Sequence, residues 1–124
     1  MAPPAWAPAL TVVGGHIPSR TRAVGVGDDY LGTFTVDTTP TGTQVTALIE
    51  DACTLVTSRV GTPVATAAEP QCALAAALWA AYWVELGYPE RDADVAVYER
   101  IRVDAEAATK SAEAVNASAG GGTT

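Results

Sequence analysis

The chain has 124 residues, enough for one domain rather than two. Its formal net charge is -7, from 7 Lys and Arg against 14 Asp and Glu, and Lys110 is its single lysine. Phosphate neutralisation dominates nucleic-acid affinity, so this balance argues against a chain that grips DNA or RNA. An acidic wall would instead let a duplex slide past. Hydrophobic residues make up 48% and charged residues 17%, as in an ordinary globular chain. Much of the apolar share is alanine, which favours helix and close packing but contributes little burial per residue. The longest apolar stretch, Cys72 to Leu86, is too short for a bilayer and carries Glu85. Met1 to Leu10 lacks a charged leader and a long apolar run, so a soluble protein made in the cytoplasm is expected.

Met1 to Pro8, MAPPAWAP, reads as an extended Pro-rich arm, and residues 1–9 are set apart from the body. Trp6 is its only large apolar group. It either tucks back onto its own core or anchors on a neighbouring subunit. In Ala9 to Ser19, Leu10, Val13 and Ile17 share a helical face and predict a short first helix, which Gly14-Gly15 weakens and Pro18 ends. His16 is the only histidine and has no second ligand nearby, so a surface or capping role is expected of it.

Arg20 to Tyr30 is a loop or hairpin tip, rich in Gly and Asp. Gly25-Val26-Gly27 lacks the Lys-Ser/Thr and the preceding strand of a phosphate loop, so nucleotide binding is discarded. Val24 and Val26 could pair with Leu31, Thr33, Phe34 and Val36 as two short strands. Phe34, the only phenylalanine, would plug the core under that loop.

The clearest helix follows. Thr41 and Gln44 fit a capping box after Pro40. Val45, Leu48, Ile49, Ala52, Cys53, Val56 and Val60 recur at helical spacing, and Gly61 supplies a left-handed stop before Thr62-Pro63. A connection leads to Glu69-Pro70 and a third helix to about Leu86, closed by Gly87. This helix is apolar almost all round, so it is central or shared between its own core and a partner. Trp79 and Trp83 are four apart and stack along one stripe. Glu85 in these surroundings reads as an ion-pair or cap residue, with Arg59 or Arg91 as its expected partner. Catalysis would need a second positioned group, and no nucleophile–base pair presents itself.

Asp92 is a sound N-cap for a last helix over about Ala93 to Val115, with Val95, Tyr98, Ile101, Ala105 and Ala108 inward. Residues 10–115 thus form one helical domain, and 116–124 a flexible tail. Cys53 and Cys72 read as buried thiols, which antiparallel neighbouring helices would allow to bridge, and without a matching histidine pair they make no zinc site. The fold expected is all-α: a small bundle of three long helices plus a short N-terminal helix, with a long loop or β-hairpin between the first and second.

The order of these features resembles the head-to-tail adaptor, or head-tail connector, proteins of long-tailed bacteriophages. The resemblance rests on Arg20-Thr21, then Gly-Thr-Phe-Thr and Asp-Thr-x-Pro-Thr over Gly32 to Thr41. Gln44, Val45, Leu48 and Ile49 follow, then Arg-Val-Gly at Arg59 to Gly61, Val-Glu-Leu-x-Tyr-Pro at Val84 to Pro89, and Tyr-Glu-Arg at Tyr98 to Arg100. It spans roughly Leu10 to Ala108. The chain departs from the pattern in its first helix, at Gly14-Gly15 and Pro18, and in its Pro-rich arm.

The resemblance implies a structural virion protein of the neck, made in the host bacterium. It implies a homo-oligomeric ring of roughly a dozen copies, a dodecamer, beneath the portal protein. The ring would join the portal to a downstream neck or tail protein and continue a channel through which DNA passes unbound. No catalytic residue, cofactor or metal, and no membrane, is implied. A ring needs two different contact surfaces per subunit. The candidates are Trp6, Arg20, Arg22, Phe34 and Asp37 on the arm and loop, and Trp79 and Trp83 on the third helix. Reversing the charge of Arg20 and Arg22 is expected to block ring incorporation while leaving the monomer folded. The alternative reading is a small acidic helical regulator or assembly factor that binds protein partners.

Overall fold

The computed structural model describes residues 4–22, 30–88 and 95–120, without the side chain of Val95. The fold is all-helical, with four α-helices among the described residues: α1, Leu10–His16; α2, Gly42–Val60; α3, Glu69–Gly87; and α4, Val95–Ser118. Two 3₁₀ turns, Pro18–Thr21 and Thr66–Ala68, precede the loop after α1 and the start of α3.

α2 forms as its local signals dictate. Thr41 Oγ1 accepts from the Gln44 amide at 3.3 Å, and Gln44 Oε1 accepts from the Thr41 amide at 2.9 Å. At the other end Gly61 takes φ 98°, a conformation only glycine adopts cheaply, and its N–H donates to Thr57 O at 2.8 Å. The apolar stripe turns inward: Val45, Ile49, Ala52, Cys53, Val56 and Val60 are buried and Leu48 packs beside them.

α3 is the central element. It packs along α2 on one side and α4 on the other, and it also meets α1. Its alanines explain how: Ala75, Ala76, Ala77, Ala80 and Ala81 are completely buried, and side chains this small bring helix axes close. α2 and α4 meet along a narrower line, closed at the surface by Arg59 donating to Glu106 at 3.4 Å and to Glu113 at 3.2 Å.

α1 buries Val13 and sets Leu10 against the core, and Ile17, just past its end, is buried as well. Its two glycines differ. A Cβ built on Gly14 would lie 2.9 Å from the carbonyl oxygen of Gly32, whereas one on Gly15 meets nothing within 4 Å. Gly14 is therefore the point where the incoming loop lies against the helix, not simply a weak spot in it.

Four expectations need correction. Gly87 does not stop α3 in a left-handed turn; the helix includes it, and only Gly32, Gly61 and Gly120 have positive φ among the described residues. The chain end there is held differently, by the Arg20 guanidinium donating to Tyr88 O. The hairpin is reduced, among the described residues, to one antiparallel bridge, Arg22 with Tyr30; its tip, with Val24 and Val26, lies outside them. Beyond the bridge, hydroxyls take the backbone into turns. Thr38 Oγ1 accepts from Thr35 N at 2.9 Å and donates to Pro40 O at 2.7 Å, a local alternative to strand pairing.

The partner of Glu85 is Arg20, because Arg59 is drawn to α4 instead; Arg91 lies outside the described residues. The tail does not begin at Asn116. α4 runs through it to Ser118, and Asn116 is completely buried. The cap expected of Asp92 lies outside the described residues.

Candidate interaction surfaces

The residues singled out from sequence divide into three groups. Arg20 and Phe34 belong to the interior, at 6% and 3% exposure, and so do not form a free surface. Arg20 faces Glu85 as a two-pronged pair, Nε to Oε1 at 3.0 Å and Nη2 to Oε2 at 2.8 Å. This geometry suits a planar guanidinium and a carboxylate. Reversing the charge of Arg20 would face two carboxylates across a buried site, so the expectation that such a monomer stays folded is withdrawn.

Trp6 and Trp83 line the margins of the core, and Trp79 lies within it. Trp6 packs partly buried against it, as does Trp83. Trp79 is buried, and its indole N–H donates to Thr109 Oγ1 at 3.0 Å, tying α3 to α4. The rings of Trp79 and Trp83 lie 6.2 Å apart and tilted, and Tyr82 meets Trp79 edge-on at 6.1 Å. Arg22 and Asp37 are exposed; the Arg22 guanidinium sits over the Tyr30 ring at 5.5 Å. The structure therefore does not gather the seven candidates into one site.

Both thiols are free and buried in the core. Burial, with the neighbouring Cys72 next in effect, pushes the Cys53 thiol from 9.0 up to about 11; burial likewise raises Cys72. Thiols so shifted are poor nucleophiles near neutrality. Among the described residues no group of three His, Cys, Asp or Glu could hold a metal. No helix among them is long and apolar enough to cross a membrane.

Sequence reasoning passed over two surfaces. One is a shallow groove of about 530 Å³ beside the start of α2, bordered by Thr35, Val36, Thr43, Ala47 and Glu50. Val36 stands 86% exposed at its edge. The other is the outer face of α4, where Val103 is exposed. The signal lay in spacing: Ala96, Val103, Ala107 and Ala114 share the α4 face opposite Ala105 and Ala112. No protein family, curated protein or solved structure matches the chain.

Proposed function

We propose that the chain is a structural protein of the neck of a long-tailed bacteriophage. Copies of it form a ring that joins the portal at the head vertex to the next neck or tail protein and continues the DNA channel. One observation carries the reading. Two of the segments on which the family resemblance rests, Arg20-Thr21 and Val84 to Pro89, lie 65 residues apart in sequence at Arg20 and Glu85 and meet through the buried ion pair. Two further segments sit at junctions of the fold: Asp37 to Thr41 leads into α2 and supplies its N-cap, and Arg59 to Gly61 ends it. This supports taking the order of motifs as one framework rather than as unrelated coincidences. The arrangement of the three long helices as a small bundle, with the segment between α1 and α2 as its loop, belongs to the same proposal. The acidic balance of the chain suits a channel that DNA passes without being held.

The test is the copy number of the chain in purified particles, by quantitative mass spectrometry against the portal protein. The proposal expects a one-to-one ratio. Hundreds of copies would reassign the chain to a capsid or tail tube. Absence from particles would overturn the virion reading in favour of a regulator or assembly factor.

A further inference from the structure

We propose that the outer face of α4 on one copy of this chain docks along the outer face of α2 on a second copy. The inference names the subunit contact of the proposed ring and to that extent rests on the preceding reading.

The two faces are built alike and charged oppositely. On α4, Ala96, Arg100, Val103, Ala107, Lys110 and Ala114 follow one another at intervals of four and three, and all are exposed. This is the spacing of a seam on which another helix lies. On α2, Thr43, Ala47, Glu50 and Thr54 repeat the same intervals, all exposed, with Asp51 beside them. The hydroxyl of Thr54 donates to Glu50 O at 3.1 Å and that of Thr46 to Gly42 O at 2.8 Å, which turns both back on their own helix and off the face. Val36 and the groove continue this face beyond the start of α2.

The charges say which copy-to-copy pairing is allowed. Among the described residues Arg59 and Arg102 have carboxylate partners, whereas Arg100 and Lys110 have none. Glu50 and Asp51 likewise have no cation partner among the described residues. Two α4 faces brought together would set Arg100 and Lys110 against cations; two α2 faces would set Glu50 and Asp51 against carboxylates. Only the unlike pairing avoids both, and Asp104 at the edge of the α4 face does not reverse its sign.

One copy cannot satisfy both faces itself, because α2 and α4 each turn their inner sides to α3. The contact is therefore heterologous, the kind that closes a ring or runs on as a filament. Small side chains at its centre let the helices approach, and Val103 supplies the apolar bulk that enters the groove side.

Two variants test it, Ala47→Cys and Val103→Cys, each at an exposed position in the full chain, with the native buried thiols retained. Each is treated with a short bismaleimide in low salt, alone and mixed one to one. The expected result is a covalent dimer in the mixture only. A dimer in either variant alone would mean a two-fold contact and overturn the proposal, as would no dimer in the mixture. Adding Arg100→Glu and Lys110→Glu to the Val103→Cys chain should lower the dimer yield about tenfold. Adding Glu50→Lys and Asp51→Lys to its partner should restore it, and failure to do so would overturn the charge pairing. Particle stoichiometry separates the two proposals: a neck ring without this cross-link retains the function and rejects the contact. The cross-link in a chain absent from particles does the reverse.

Discussion

The body is held at its two ends by different chemistry. Where α3 finishes, a charged pair joins Arg20 to Glu85 and to the terminal carbonyl of Tyr88. Where α3 begins, an amide does the work. Asn116 Oδ1 accepts from the Ala65 amide at 2.7 Å, and its Nδ2 donates to Val60 O at 3.3 Å and Pro63 O at 3.5 Å. Both side chains are buried, and both bind segments more than fifty residues away. The difference lies in what each would cost if left alone. A buried guanidinium without its carboxylate retains a full desolvation penalty, whereas a buried amide leaves behind only neutral groups. The charged lock is thus all-or-none, and the neutral one yields by degrees.

Breaking the charged lock should have the largest effect. Glu85→Ala, which leaves Arg20 buried and unpaired, should lower unfolding stability by about 3–5 kcal/mol in urea titration. Replacing both partners together, as Arg20→Met with Glu85→Leu, should cost clearly less than either single change. A double variant that loses the sum of the two would mean that the two side chains do not act as a coupled pair and would erase the contrast drawn above.

The neutral lock comes next. Asn116→Ala should cost about 1–3 kcal/mol, the range for leaving buried backbone partners unmet. A loss equal to that of Glu85→Ala would show that the two locks differ in charge but not in consequence. Effects of that size or smaller sharpen the picture on the α1 side of the charged lock. Gly14→Ala should destabilise by about 1–3 kcal/mol, because the added carbon meets the Gly32 backbone. Gly15→Ala, in open space, should stabilise by about 0.5–1 kcal/mol. Thermal melting of the pair checks both signs at once.

The neighbouring stretches of sequence were not equally legible. α2 was readable end to end because its signals are local: a capping box within four residues, one stripe, one terminal glycine. Glu85 was recognisable as a paired residue from its apolar surroundings, but not the identity of its partner. Arg59 was the wrong choice because two carboxylates on α4 compete for it. Asn116 was hidden by its context, since a run of small polar residues and glycines reads as tail, and nothing adjacent reveals carbonyls left open at the end of α2. The loop misled for the opposite reason. Its alternation of apolar and polar residues is real, but over Thr35 to Pro40 a threonine hydroxyl takes the backbone into turns. Of the surface candidates, Arg20, Phe34 and Trp79 were the ones the interior absorbed.

The fully buried alanines of α3 carry a consequence for how this protein varies. Ala75, Ala76, Ala77, Ala80 and Ala81 lie between helices with no exposed surface, so each additional methyl group has to push a neighbour aside. In a saturation library this segment would stand out as a band of positions admitting little beyond glycine, serine and alanine. The outward positions of α2 and α4 would accept most residues so long as the chain acted alone. Divergence in such a protein is confined to its skin, and its centre changes only when α2, α3 and α4 move together.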